Sequence, residues 1–242
     1  MNNSKEKIGL GKYLPNYITF LSLGFGLISI VLSTQENILW AGLCIVISSI
    51  LDSLDGSIAR RLSLESAFGL HLDSLTDMVS FGVAPIVLVL QHLQLQERFS
   101  FWLIPFFLLQ IWGGAFRLAR FNLQPPKESS TGSSLGLTIS LSGLILALMI
   151  LSDLTQTGDD YPLVVIMGQI LLLSFLMVSK IRFPALSWFV PHWSLYIAYG
   201  VAIMIVVIRF SVFTAVWNFW LCILAASIIQ HLILARQEKV LL

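Results

Sequence analysis

ILWAGLCIVISSILDSLDGSIARR, residues 38–61, is a long apolar run that closes on two aspartates, Asp52 and Asp55, and two arginines, Arg60 and Arg61. A transmembrane helix needs about 20 predominantly apolar residues, and this run supplies them. Seven further apolar segments accompany it, at roughly 16–34, 71–95, 99–121, 135–155, 162–180, 193–208 and 211–233. The last two form one run broken only by Arg209 and Ser211. The 242-residue chain is 57% hydrophobic and 11% charged, with a mean hydropathy of +0.87. Soluble domains carry about 25% charged residues. The expectation is therefore an all-α, polytopic transmembrane helix bundle of about eight spans.

The same numbers exclude other classes. A transmembrane β-barrel would show ~10-residue alternating segments, whereas these runs are continuous. No polar stretch between runs is long enough for a soluble domain. A net charge of +1 offers no basic surface to nucleic acid. Cys44 and Cys222 lie inside apolar runs and read as packing residues. The polar start, Met1 to Lys12, lacks the short apolar core and cleavage site of a signal peptide, so the first span is expected to persist in the mature protein.

Most linkers are short. The longest polar one, Gln124 to Ser134, carries Pro125-Pro126 and a Ser/Thr/Gly cluster and reads as a loop. Ile181 to His192, with Pro184, Pro191 and two tryptophans, reads as irregular and interfacial. Lys and Arg set orientation. With the N-terminus inside, Lys5, Lys7, Lys12, Arg60, Arg61, Arg117, Arg120, Lys127, Lys180, Arg182, Arg236 and Lys239 fall on the inner side, and only Arg98 and Arg209 outside. Both termini are expected in the cytosol.

The informative residues are charges in an apolar setting. Asp52 and Asp55 are three apart, Asp73 and Asp77 four apart, so each pair shares a helix face. Their segments follow each other through a short loop and must run antiparallel, which brings the pairs to one depth. A lone carboxylate at a span centre costs ~2.5–3.5 kcal/mol on insertion scales, so four together require cations. Hard oxygen ligands suit Mg²⁺, Mn²⁺ or Ca²⁺, and four carboxylates match two divalent ions. Such a pair stabilises the attacking and leaving oxygens of phosphoryl displacement. Gly56 and Ala59 leave one helix face bare, and Arg60 offers a fork for phosphate oxygens.

The string Asp52-x2-Asp55-Gly56-x2-Ala59-Arg60-x8-Gly69-x3-Asp73-x3-Asp77 resembles the complete signature of the CDP-alcohol phosphotransferase family, with eight specified residues over 26 positions. The resemblance implies a six-helix core, often dimeric, with a polar cavity open to the cytosol and two divalent cations, Mg²⁺ or Mn²⁺. It implies displacement of CMP from a CDP-linked donor by an alcohol. Asp52, Asp55 and Asp73 would be metal ligands, and Asp77 both a metal ligand and the base for the attacking hydroxyl. Gly56, Ala59, Arg60 and Gly69 would line the cytidine diphosphate pocket. Pro15-Asn16-x2-Thr19 with Gly26 is similar to the family's first helix and adds Asn16 and Thr19 near the nucleotide.

Two stretches bear on the acceptor. Arg117-Leu118-Ala119-Arg120-Phe121-Asn122 and Met177-Val178-Ser179-Lys180-Ile181-Arg182-Phe183-Pro184 resemble the family's serine-using branch. The implied substrates are CDP-diacylglycerol and L-serine, with Arg117, Arg120 and Asn122 at the acceptor. Serine's carboxylate calls for a cation at the depth of the acids. Ser133-Ser134-Leu135-Gly136-Leu137-Thr138 lacks the Phe and Pro usual there, so glycerol 3-phosphate and inositol stay open as acceptors. A transporter is the other class, but transporters carry such acids near the midplane on two related halves, and no second cluster is present.

The expected organisation is a cytosolic segment at 1–15, a transmembrane core at 16–180, an interfacial linker at 181–192 and a C-terminal hairpin with cytosolic tail at 193–242. The setting is a bacterial or archaeal cell membrane, with membrane lipid around a homodimer. His71 reads as a loop or interface histidine. His92, His192 and His231 lie near span ends without forming a ligand set. Asp153, Asp159 and Asp160 read as solvated acids of an outer loop. Gly113-Gly114 suits close helix approach.

Overall fold

The computed structural model describes residues 13–62, 64, 66–123, 133–155, 160–184, 213–214, 216–221, 223–225 and 228. They form a helix bundle. Helix α1 spans Leu14–Thr34, α2 Ile38–Arg61, α3 Ala67–Asp77, α4 Ala84–Leu95, α5 Ile104–Asn122, α6 Ile139–Thr155 and α7 Leu163–Val178. A π-helical turn, Met78–Val83, joins α3 to α4, and a single 3₁₀ turn, Phe101–Leu103, leads into α5. Among the described residues four helices are long and apolar enough to cross a membrane: Leu14–Thr34, Ile38–Ala59, Ala67–Leu95 and Phe101–Asn122.

Helix α1 shows how the bundle is held. Its buried residues are Pro15, Thr19, Ser22, Gly26, Ser29 and Ser33, a stripe of small side chains at alternating spacings of four and three. Large residues such as Tyr17, Phe20, Leu21, Ile28 and Val31 point outward. Lipid tails are as apolar as leucine, so association between spans rests on close packing and interhelical hydrogen bonds. Ser22 and Ser48 supply such bonds: their hydroxyls lie 2.8 Å apart, and each also reaches the other's carbonyl. A Cβ on Gly26 would come within 2.3 Å of Ser80 Oγ, so glycine is required where α1 crosses the π turn.

The π turn has a local cause. Pro85 stands in the first turn of α4 and has no N–H to return to the Phe81 carbonyl. The ladder widens there, with the Ala84 amide bonding to the Val79 carbonyl. Gly143 of α6 packs onto the same place; a Cβ at 143 would lie 2.7 Å from the Phe81 oxygen. Helix α6 is buried almost all round, from Ser142 through Asp153, as expected of a helix apolar on every face. Helix α7 lies on α5. Gly113 approaches the Ser174 backbone there, Gly114 packs beneath Ile139, and Gln110 bridges the Ser142 and Ser174 hydroxyls at 2.6 and 2.8 Å.

Several expected boundaries move. The third segment starts at Ala67, four residues earlier than read, because the Ser66 hydroxyl caps it by accepting from the Gly69 amide at 3.0 Å. The fifth segment becomes helical only at Ile139, four residues later than read, and the end of the expected loop with Leu135 forms a strand, Ser133–Leu135. That strand pairs antiparallel with Arg182–Pro184 of the expected irregular linker, Ser133 opposite Pro184. Gly136, at φ 78°, makes the turn between strand and helix, and its amide bonds to the Ile181 carbonyl at 2.8 Å. Helices α6 and α7 have only 17 and 16 residues. The expected seventh span at 193–208 lies outside the described residues. Those described within 211–233 are helical, and Phe213, Trp217, Trp220 and Leu224 are buried against the bundle.

Asp153 departs from the expected solvated loop acid. It sits on the last turn of α6, buried, with Oδ2 2.6 Å from His92 Nε2 and Oδ1 accepting from the Tyr161 amide. Gln96 closes the group, 3.2 Å from His92 Nε2 and 3.4 Å from Asp153 Oδ2, and Arg98 ties it to the Tyr161 carbonyl at 2.8 Å. Asp160 is exposed, as read, and Asp159 lies outside the described residues.

Candidate active site

The acids gather toward the other end of the bundle, on the last three turns of α2 and the second half of α3. One carboxylate oxygen from each of Asp52, Asp55 and Asp73 lies within 4.8 Å of the others. Spacings of three and four along the two helices turn these side chains inward. Just past the end of α2 the Leu64 amide bonds to the Ala59 carbonyl at 2.9 Å, and α3 then packs against α1. Oxygens on opposite sides of an ion with 2.0–2.6 Å bonds lie roughly 4–5 Å apart, so this trio fits a hard divalent cation.

Asp77 stands outside the trio, deeper in the bundle. It is 5% exposed, and its Oδ1 has no hydrogen-bond partner among the described residues. Its charged neighbours are Asp52, Asp73 and, from α5, Arg117. Arg117 is 8% exposed and lies 5.2 Å above the Phe121 ring. A buried carboxylate with an unspent oxygen, close to acids and one guanidinium, can accept a proton from a hydroxyl brought beside it.

The remaining expected residues fall into separate places. Thr19 donates to Asp55 Oδ2 at 2.6 Å. Asn16 approaches the bare face of Gly69, its Oδ1 3.2 Å from where a Cβ would stand. Gly56 and Ala59 are half-buried on α2. Arg60 belongs to the last turn of α2, and its side chain lies outside the described residues. Asn122 donates to Ser74 Oγ at 3.0 Å, tying α5 to the turn of α3 that carries Asp73. Arg120 is engaged at the end of α7, where its guanidinium reaches the carbonyls of Met177, Val178 and Ser179 at 3.1–3.3 Å. Those carbonyls have no helical partner of their own, so a cation there satisfies them and meets the negative end of the helix dipole. His71 is exposed on α3.

Ser66 and Ser74 belong to the site's frame and were not singled out from sequence. Ser66 carried a signal, a serine just before an apolar helical run; Ser74 carried none.

The family described as CDP-alcohol phosphatidyltransferase matches residues 12–226. Similar curated proteins include a CDP-diacylglycerol–serine O-phosphatidyltransferase of Helicobacter pylori, 35% identical over 173 residues covering 70% of this chain and 71% of that one. One of the same name from Bacillus subtilis is 32% identical over 71% of this chain and 90% of its own. An archaetidylserine synthase of Methanothermobacter thermautotrophicus is 32% identical over 64% and 72%. The chain belongs to the CDP-alcohol phosphatidyltransferase family and is a membrane-embedded transferase.

Proposed function

We propose that this protein transfers the phosphatidyl group of CDP-diacylglycerol to the hydroxyl of L-serine, giving phosphatidylserine and CMP. The observation that carries this is the convergence of Asp52, Asp55 and Asp73 beside a buried Asp77 with an unspent oxygen. The names of the relatives from H. pylori and B. subtilis support serine as acceptor. Asp52, Asp55, Asp73 and Asp77 would hold two divalent cations, Mg²⁺ or Mn²⁺, which when bound supply charge to the phosphoryl oxygens.

Asp77 takes the proton as serine's oxygen attacks the lipid-side phosphorus. The bond from that phosphorus to the bridging oxygen breaks in line, and CMP carries the oxygen away. Asn16, Gly56, Ala59, Arg60 and Gly69 form the pocket for cytidine diphosphate, where bare backbone at 56 and 69 admits the ligand closely. Arg117, the buried cation beside Asp77, binds the serine carboxylate, while Arg120 and Asn122 hold α7 and α3 around it. The diacyl chains stay in the bilayer. The acid end faces the cytosol of a bacterial or archaeal cell, as the distribution of Lys and Arg indicates, and the enzyme works as a homodimer.

Purified protein given CDP-diacylglycerol, Mn²⁺ or Mg²⁺ and an acceptor tests the assignment. Release of CMP should be fastest with L-serine. Faster release with glycerol 3-phosphate or inositol overturns serine while leaving the reaction class standing.

A further inference from the structure

Thr19 lies on the small-residue face of α1, 4% exposed, one turn after Pro15. Its hydroxyl has one hydrogen and two acceptors in reach, Asp55 Oδ2 at 2.6 Å and the Pro15 carbonyl at 3.0 Å. Bonds from a hydroxyl to a carboxylate are the shorter and stronger kind, typically 2.5–2.7 Å, so the hydrogen belongs to Asp55. The second contact is the usual one between a helical threonine and the carbonyl four residues back, and it selects a side-chain rotamer. Two turns of hydrogen-bonded contact fix α1 against α2 here, Thr19 to Asp55 and Ser22 to Ser48. The Asp55 carboxylate cannot rotate about its own side-chain bond without losing the Thr19 hydroxyl.

We infer that Thr19 is a positioning residue for the metal-binding carboxylate of Asp55, setting its plane from a helix that contributes no acid of its own to the trio. The family resemblance assigns Thr19 to the nucleotide; the 2.6 Å bond assigns it to the ligand set. A hydroxyl that holds a metal ligand in place is worth about 10–100-fold in metal affinity. The inference rests on the metal-site reading above.

The test is a Mn²⁺ titration of the purified protein in nanodiscs without substrate, free Mn²⁺ being followed by electron paramagnetic resonance. Thr19→Val keeps the shape and removes the hydroxyl, and should weaken Mn²⁺ binding by about 10–100-fold. Thr19→Ser should restore it close to wild type. Thr19→Ala carries the same expectation as Val and guards against a fold lost to the added methyl. With Mn²⁺ saturating, KM for CDP-diacylglycerol should be unchanged in Thr19→Val. Unaltered Mn²⁺ affinity in both Val and Ala variants, or a raised KM at unaltered Mn²⁺ affinity, overturns the inference. Asp55→Asn separates the two claims. If it weakens Mn²⁺ binding while the Thr19 variants do not, only the role of Thr19 fails; if it leaves binding intact, the metal-site reading falls and takes this inference with it.

Discussion

Asp153, at one end of the bundle, has both carboxylate oxygens engaged, by His92, Gln96 and the Tyr161 amide. Asp77, at the other end and just as deeply buried, keeps Oδ1 without a hydrogen-bond partner among the described residues. Both are acids in a protein with little charge to spare. The first is complete in itself and joins α4, α6 and the start of α7. The second is incomplete: it faces Asp52, Asp73 and the Arg117 guanidinium with one oxygen left over. Burial alone does not distinguish the two acids; the unspent oxygen does.

Asp77→Asn should give the largest effect. Loss of a general base lowers turnover by about 10²–10⁴-fold, while thermal unfolding in detergent stays close to wild type because a carboxylate crowded by Asp52 and Asp73 has been neutralised without change of shape. CMP release and a melting curve on the same preparation check both; near-normal turnover would make Asp77 as structural as Asp153. Arg117→Ala should come next, raising the KM for L-serine by about 10–100-fold, the value of a hydrogen bond between charged groups, and Arg120→Ala should lower stability with little change in that KM. Equal effects on KM would remove the distinction drawn between the two arginines. Asp153→Ala should have the smallest effect on chemistry. Stability should fall by about 1–3 kcal/mol, since His92 and the Tyr161 amide lose their partner, with turnover per folded molecule unchanged. A fall in turnover would tie this end of the bundle to the site.

The acid cluster was legible because its spacing is local: positions three and four apart on helices that follow each other through a short loop meet without knowledge of the rest of the fold. The bundle and its four long spans were legible from composition. The pairing of His92 with Asp153 was not, because 61 residues separate them and each looked like an ordinary residue at a span end. The engagement of Arg120 with α7 was hidden for the same reason; two arginines at a helix end read equally well as anchors or ligands. The π turn at Met78–Val83 left only Pro85 as a trace, and proline in a span has several outcomes. The stripe from Pro15 to Ser33 is readable in the sequence, since its spacing is regular and its residues small.

The distance along the chain between the acids and the cation beside them has a consequence for biogenesis. All four aspartates are synthesised within 26 residues, as one helical hairpin, whereas Arg117 follows Asp77 by 40. At about 5–20 residues per second, the hairpin exists for roughly 2–8 s before its guanidinium emerges. A cluster at the middle of the bilayer would spend that interval unhydrated. Carried on the last three turns of α2 and on the short α3, off the middle of the bundle, it can stay close to water until α5 arrives.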